Sequence, residues 1–245
     1  MTGHVFLVGA GPGDIGLITV KGLETLRAAE TVVYDALANP ELLNECPNAE
    51  LIDVGKRSNR HTMTQTDINS LLVSLGKEGK NVVRLKGGDP FLFGRGAEEA
   101  AALRDAGVRV SVIPGVSSSI SVPELAGIPI THRDHSPMVT FVTGHEMDGK
   151  SQNLDWTRLA DGRGTLVILM GMKNAEAISL SLIEGGMSPS TSASVTVNGS
   201  TESEVTVVTT IKELGSAIKE NGLEPPGIIV IGNVVSERAR LGDLK

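Results

Sequence analysis

The sequence predicts an α/β protein with two domains, a mainly parallel sheet in the N-terminal domain and a mixed sheet in the C-terminal domain. Strand-like apolar runs alternate with helical patterns through the first half of the chain. A Pro-Gly turn at residues 114–115 ends that alternation, and strand-like runs separated by fewer helices follow it. A length of 245 residues suits one large domain or two smaller ones. We prefer two and place them at residues 1–114 and 115–245.

The N-terminal half has the pattern of repeated β-α-β units. Leu17, Leu23 and Leu26 stand at roughly helical spacing after the first strand. Thr64 is a suitable N-cap for the second helix. Because helical crossovers connect parallel strands, we expect a parallel sheet. The predicted strands are residues 5–8, 31–34, 81–85 and 108–113, and the predicted later helices are 65–75 and 96–106.

The C-terminal half has strand-like runs at 139–143, 165–170, 194–197, 205–209 and 228–231. Helical patterns between them are fewer, which favours a mixed sheet. Residues 188–203 are rich in serine and threonine and are predicted to form an exposed hairpin region.

Composition excludes several classes of function. A net charge of −7 and an aromatic content of 2% lack the features of a nucleic-acid-binding protein. Cys46 is the only cysteine, so an intramolecular disulfide is excluded. His132 and His135 have the spacing of metal ligands, but without a third ligand a polar loop is preferred, and we expect no metal. We see no secretory leader and no membrane-spanning run, so we expect a cytoplasmic protein.

The first glycine-rich turn, residues 11–16, fits the dinucleotide-binding pattern G-x-G-x-x-G between a strand and a helix. Asp35 follows the next strand, where a ribose-binding acid would stand. However, Pro12 lacks an N–H group, and Asp14 puts a carboxylate where a phosphate needs donors. The pattern therefore favours a tight turn with Asp14 as a helix cap, and a nicotinamide-dependent oxidoreductase is the enzymatic alternative.

A second loop, residues 85–96, combines four glycines, an acid, two bases and several apolar side chains after a strand. The carboxyl ends of strands are where α/β proteins bind ligands. An ordinary turn would explain the glycines but not this mixture of chemical types.

This loop closely resembles the motif R-L-K-G-G-D-P-F-x-F-G-R-G of uroporphyrinogen-III C-methyltransferases, within the tetrapyrrole methylase family. Further matches are residues 8–14, 34–35, 55–57, 114–115, 127–133, 142–145, 170–171 and 198–199. The resemblance implies a homodimer with S-adenosylmethionine in a cleft between the two domains. It also implies methylation of uroporphyrinogen III at two ring carbons, giving precorrin-2 by way of precorrin-1.

The resemblance assigns a set of cofactor-binding positions from both domains. Ser117–Ser118 replaces the Thr-Ala usual in the family, Leu169 replaces an aromatic residue, and residues 197–200 read V-N-G-S in place of E-N-G-T. The implied cofactor residues are Pro12, Gly87, Gly88, Asp89, Leu92, Ser117, Ser118, Met170, Gly199 and Gly227.

The resemblance also implies catalytic and substrate-binding roles. Asp35 matches a proton acceptor, although a turn residue is the simpler interpretation. Lys56 matches a group that pairs with substrate or passes a proton. Arg95 and Glu98 lie three residues apart and can share one face of a helical turn, as an active pair or as a surface ion pair. A guanidinium stays protonated, so we assign Arg95 to carboxylate binding. The remaining implied substrate-binding residues are Arg57, Arg60, Arg133 and His145.

A module that binds S-adenosylmethionine without catalysis is the alternative from another class. The presence of both Asp35 and Arg95 favours the enzyme.

Overall fold

The computed structural model describes residues 3–55, 63–144 and 154–245. The chain divides into two compact units, Met1–Ser117 and Ser118–Lys245. Across the three ranges described, no helix is long and apolar enough to cross a membrane.

The first unit contains a five-stranded sheet in which every neighbouring pair of strands is parallel, as the β-α-β pattern predicts. Its strands are β1 (His4–Gly9), β2 (Thr31–Tyr34), β3 (Glu50–Asp53), β4 (Asn81–Lys86) and β5 (Arg109–Ile113). Their order in the sheet is β3-β2-β4-β1-β5. β4 is therefore the central strand, and its carboxyl end opens directly into the second glycine-rich loop.

The helices of the first unit are α1 (Val20–Arg27), α2 (Gln65–Lys77) and α3 (Gly96–Asp105), with 3-10 turns at Ile15–Leu17 and Pro40–Glu45. Thr64 caps α2 as predicted: its hydroxyl accepts the Asp67 N–H, and the Asp67 carboxylate accepts the Thr64 N–H. α1 begins later than the leucine spacing suggests, because Leu17 belongs to a 3-10 turn. β3 was not predicted, since its pattern ELID has only two apolar residues, neither of them buried.

Both faces of this sheet are covered. Alternate residues of the strands point to opposite faces, and β1 shows the result. Val5 and Leu7 join a buried cluster with Leu72 of α2 and Leu103 of α3. Val8 packs on the other face with residues of α1 and β2. Burial on both faces explains why most strand residues are apolar.

The second unit contains the predicted mixed sheet. Its strands are β6 (Val139–Thr143), β7 (Thr165–Leu169), β8 (Ser192–Val197), β9 (Val205–Thr210) and β10 (Gly227–Ile231). The order is β6-β7-β10-β8-β9, with β6 and β7 parallel and the other pairs antiparallel. β8 and β9 form a hairpin, although β8 is largely buried rather than exposed.

Helices are more numerous in the second unit than the sequence suggests. They are α4 (Ser118–Leu125), α5 (Ala175–Glu184), α6 (Leu214–Glu220) and α7 (Arg238–Leu241), with 3-10 turns at Trp156–Leu159, Met172–Asn174, Ile211–Glu213 and Asn233–Glu237. Ile178 and Leu182 of α5 pack into the main buried cluster of this unit, while Val122 of α4 packs on the other face of the sheet with Val167 and Val230.

Candidate active site

Three loops meet at the carboxyl edge of the first sheet. Gly11, after β1, and Gly88, after β4, exchange two backbone hydrogen bonds with N···O distances of 3.2 and 2.7 Å. A Cβ atom on Gly9 would lie 2.5 Å from the Cα of Gly115, which follows β5. Main chain therefore packs directly on main chain, which only glycine permits. This edge is also where α/β proteins bind ligands.

The five predicted cofactor residues of the first unit lie together in two of these loops. They are Pro12, Gly87, Gly88, Asp89 and Leu92. A Cβ on Gly87 would lie 2.6 Å from the Cβ of Leu37, and Gly88 has a φ of +65°. Packing and backbone conformation thus account for both glycines without a ligand.

Asp89 holds this edge together. Its Oδ1 accepts the backbone N–H groups of Phe91 at 2.8 Å and Leu92 at 3.1 Å. Its Oδ2 accepts the N–H of Gly115 at 3.1 Å. A carboxylate can accept about four hydrogen bonds, so one position remains for a ligand. Asp89 therefore has a structural role that sequence reasoning did not assign to it.

The first glycine-rich turn is organised by Asp14. Its Oδ1 accepts the N–H of Gly16 at 2.7 Å and caps the 3-10 turn, whereas α1 is capped by Thr19. The Asp14 carboxylate therefore accepts the hydrogen bond from a backbone N–H group that a bound phosphate would use. This geometry disfavours a nicotinamide dinucleotide at the turn.

Asp35 lies just beyond the end of β2, with 26% of its side chain exposed. Its Oδ1 accepts the N–H of Leu37 at 3.2 Å, the contact expected of a turn residue. Its Oδ2 lies 3.2 Å from a terminal nitrogen of Arg84, which projects from β4. Asp35 is thus both a turn residue and part of an ion pair.

Arg84 belongs to a buried cluster of charges between β4 and α3. Glu99, which is fully buried, accepts Arg84 Nε at 3.2 Å and Lys86 Nζ at 3.0 Å on its Oε1. Gln65 Nε2 lies 3.2 Å from the same oxygen. The Oε2 of Glu99 has no hydrogen-bond partner among the described residues. Burial, and then the neighbouring charge of Arg84, lowers the pKa of Lys86.

Arg95 and Glu98 form an ion pair on the surface. Their closest N···O distance is 2.7 Å, and 56% and 53% of the two side chains are exposed. Arg95 stands before α3 with a φ of +57°, an uncommon conformation for a residue with a Cβ. The hydrogen bond to Glu98 raises the pKa of Arg95 above its already high usual value, so its guanidinium keeps its charge.

The predicted cofactor residues of the second unit gather at one edge of the mixed sheet. Met170 follows β7, Gly199 lies two residues after β8, and Gly227 begins β10. The register pairs Gly227 with Val197 and Ile228 with Leu169, so these three strand ends are adjacent.

The main chain at this second edge is strained. Met170, Asn198 and Ser200 have φ values of +55°, +49° and +65°, a conformation that is costly for residues other than glycine and is concentrated at functional sites. A Cβ on Gly199 would collide with the side chain of Val122, and one on Gly227 would lie 2.5 Å from the sulfur of Met172. These glycines are again explained by packing.

The other predicted site residues are less informative. Ser117 and Ser118 are half-buried where the units join in sequence. Arg133 is exposed and makes no ion pair with any residue of the described ranges. His135 pairs with Glu237 at 2.9 Å, and no group of three potential metal ligands occurs in residues 3–55, 63–144 and 154–245. Lys56, Arg57, Arg60 and His145 lie outside the described residues.

A family model described as "Tetrapyrrole (Corrin/Porphyrin) Methylases" matches residues 4–215. The chain belongs to the tetrapyrrole methylase family. A Methanosarcina barkeri S-adenosyl-L-methionine-dependent uroporphyrinogen III methyltransferase is 45% identical over 243 residues, which cover 98% of this chain and 95% of the relative. A Methanocaldococcus jannaschii uroporphyrinogen-III C-methyltransferase is 47% identical over 239 residues, which cover 96% and 98%.

A solved structure resembles this tetrapyrrole methylase along nearly its whole length. It is the uroporphyrin-III C-methyl transferase of Thermus thermophilus complexed with S-adenyl homocysteine. The TM-score is 0.82 at 36% sequence identity, and the match covers 96% of this chain and 99% of that one. The predicted family and fold are therefore confirmed.

Two of the departures of this tetrapyrrole methylase from its family, Leu169 and residues 197–200, lie in well-defined local surroundings. Leu169 ends β7 and packs in a buried apolar cluster. Glu204 closes the loop between β8 and β9: its Oε2 accepts the N–H of Ser200 at 2.6 Å, and its Oε1 pairs with Lys245 at 3.0 Å. An acidic residue here stabilises the loop that carries Gly199.

Sequence reasoning missed the charged cluster of this methylase. Arg84, Lys86 and Glu99 received no role, although Arg84 and Lys86 alternate with apolar residues along the central strand. The alternation is the available signal, because β-strand residues two apart share a face. It shows that both cations face the same side, but not that Glu99 pairs with both of them or that Asp35 pairs with Arg84.

Proposed function

We propose that this chain transfers methyl groups from S-adenosylmethionine to two ring carbons of uroporphyrinogen III, giving precorrin-2 by way of precorrin-1. The observation that carries the proposal is the similarity to two enzymes named for this activity, at 45% and 47% identity over almost the whole chain. The similar Thermus thermophilus enzyme is complexed with S-adenyl homocysteine, which supports the cofactor.

We further propose that residues of both units bind the cofactor. Asp89 retains one acceptor position, which suits the ammonium group of the methionine part. Leu92 is half-buried and Phe91 is half-exposed, so the loop offers apolar surface to the adenine. The second unit contributes Met170 and its neighbours on a strained main chain.

Methyl transfer from a sulfonium needs alignment more than it needs an acid or a metal. S-adenosylmethionine supplies the methyl group and leaves as S-adenosylhomocysteine, with the electrons of the broken S–C bond on sulfur. The ring carbon gains a C–C bond, and a bridging carbon of the macrocycle must then lose a proton. Asp35 is the proposed acceptor of that proton, because its carboxylate is partly exposed at the carboxyl edge of the sheet and is held by Arg84.

The substrate is a polycarboxylate, whereas the protein is acidic overall. A local group of cations must therefore hold it. We assign this role to Arg95, whose exposed guanidinium stays charged, and to Arg133, with Arg57, Arg60 and His145. Glu98 orients Arg95 through their hydrogen bonds. Lys56 is proposed to pair with substrate or to pass a proton.

The direct test is incubation of the purified protein with labelled S-adenosylmethionine and uroporphyrinogen III without oxygen, with mass detection of products. We expect a doubly methylated product. A product that stops at one methyl group would show that the altered segment at residues 197–200 changes the outcome. Unchanged turnover in Arg133→Ala would show that the substrate pocket is misplaced. Binding of adenine dinucleotides, without binding of S-adenosylhomocysteine, would overturn the proposal as a whole.

We also propose a homodimer, which the family resemblance implies, and the cytoplasmic location that the sequence predicts. Light scattering of the purified chain tests the first. The relatives give no support to the oxidoreductase alternative, and Asp14 disfavours it on geometric grounds.

A further inference from the structure

The central strand of the first sheet carries two charged residues where apolar ones are normal. Arg84 and Lys86 are 3% and 4% exposed, and central strands of parallel sheets are usually apolar throughout. Stability does not explain them, because well-packed apolar residues of similar volume are often at least as stabilising as a buried ion pair. Their placement therefore calls for a role other than folding.

The guanidinium of Arg84 is fixed on several sides. Its Nε donates to Glu99 at 3.2 Å, and one terminal nitrogen donates to the carbonyl oxygen of Leu85 at 3.1 Å and faces that of Val33 at 3.4 Å. The other terminal nitrogen donates to Asp35 at 3.2 Å. Because a guanidinium is planar and rigid, fixing two of its nitrogens also fixes the third.

The cluster has one member at the surface. Arg84, Lys86 and Glu99 are buried, whereas Asp35 is 26% exposed. The chain of contacts thus runs from α3 through β4 and ends at a carboxylate on the ligand-binding edge. A guanidinium has hydrogen-bond donors and no acceptor, so Arg84 cannot itself take the proton.

We infer that Arg84 is a positioning residue, which Glu99 and the main chain hold in place so that it fixes the Asp35 carboxylate for proton acceptance. This inference rests on the proposed function, and specifically on the role of Asp35. It adds a residue that acts through Asp35 without touching substrate.

Lys86 supplies a matched control. It is as buried as Arg84 and pairs with the same oxygen of Glu99. Asp35 acts on Lys86 only through its charge, whereas its hydrogen bond within the cluster goes to Arg84. Loss of Lys86 disturbs the buried cluster without removing the hydrogen bond to the proposed proton acceptor.

The test is a double-mutant cycle with Arg84→Met, Asp35→Asn and the combined variant. We expect Arg84→Met to lower kcat by about 10- to 100-fold, as misplacement of a reacting group does, with little change in S-adenosylhomocysteine affinity by calorimetry. In the Asp35→Asn background the same substitution should change kcat by about twofold or less, because residues that act as one unit are not additive. The fold loss of kcat in Lys86→Met should be smaller than that in Arg84→Met by a factor of at least about ten.

Equal losses from Arg84→Met in the two backgrounds, or equal losses from Arg84→Met and Lys86→Met, would overturn the inference. If Arg84→Met does not fold, the same cycle is run with Arg84→Lys, which keeps the charge and loses the rigid fork. Full turnover in Asp35→Asn would overturn the role of Asp35 and this inference with it. Absence of any methylation by the unaltered protein would instead refute the proposed function.

Discussion

Two adjacent glutamates in the first turn of α3 have opposite surroundings. Glu98 pairs with Arg95 at 2.7 Å, and about half of each side chain is exposed. Glu99 pairs with Arg84 at 3.2 Å and with Lys86 at 3.0 Å, and it is fully buried. The exposed pair has the shorter distance, but the buried pairs are expected to matter more for stability.

We expect burial, rather than bond length, to set the energy of these ion pairs. Water screens an exposed pair, so such a pair contributes about 0–1 kcal/mol to stability. Removing one partner of a buried pair leaves an uncompensated charge and costs about 3–5 kcal/mol. The exposed pair is accessible to a charged ligand, whereas the buried cluster can act only on its neighbours.

The largest expected effect is that of Glu99→Ala. It should lower the free energy of unfolding by about 3–5 kcal/mol, because Arg84 and Lys86 lose their shared buried counter-ion. Urea unfolding followed by circular dichroism measures the loss. Glu98→Ala, one residue earlier on the same helix, is the control and should cost about 1 kcal/mol or less. Equal losses in the two variants would contradict the comparison.

Substitution of Asp89 should have an effect on stability between those of Glu99→Ala and Glu98→Ala, because Asp89 is half-buried and is bound to main chain rather than to a cation. Asp89→Ala removes two hydrogen bonds within the loop after β4 and one that joins this loop to the segment after β5. We expect a stability loss of about 2 kcal/mol and weaker binding of S-adenosylhomocysteine by calorimetry. Asp89→Asn, which keeps one acceptor oxygen, should lose less of both. Unchanged affinity in Asp89→Ala would remove this residue from the proposed cofactor site.

The smallest expected effect is a pH dependence from Lys86. Its pKa is lowered from 10.5, chiefly by burial, so the folded chain releases this proton at a lower pH than the unfolded chain. Between those two values the unfolded state binds more protons, and stability rises with pH by at most about 1.4 kcal/mol per unit. At pH values below the lowered pKa of Lys86, the cost of burying its charged side chain does not change with pH.

Lys86→Met removes this titration, while the other titrating groups cancel in the difference between the two proteins. Urea unfolding at several alkaline pH values should therefore show the unaltered protein gaining stability relative to Lys86→Met. A difference that stays constant up to pH 10.5 would show that Lys86 is not desolvated as its burial indicates.

Much of the fold was predictable because its cause is local. The strand at Thr31–Tyr34 and the N-cap at Thr64 follow from short apolar runs and from capping chemistry. β3 and α4 were not predicted because their local patterns disfavour the structures that they form. β3 has two charged residues in four. α4 contains serines and Pro123, which disfavour a helix.

The candidate site was predictable only in part. Motif resemblance located the loops at the sheet edges, including Gly88, Asp89 and Gly199. It did not show that Asp89 binds main chain or that Glu204 closes its own loop, because hydrogen-bond partners depend on how the loops fold. The hydrogen bond between Asp89 and Gly115, 26 residues apart, depends on how the loops after β4 and β5 approach each other in the folded unit.

The sequence by itself determined the α/β class, the parallel and mixed sheets and the resemblance to a methylase family, since periodicity, capping and glycine-rich turns act within a few residues. Only the tertiary structure decided which charges are buried. Arg84, Glu99 and Asp35 come from β4, α3 and the turn after β2, and the parallel crossovers that bring them together also exclude water from Arg84 and Glu99. Whether a charge is screened depends on that exclusion of water, which no short stretch of sequence records.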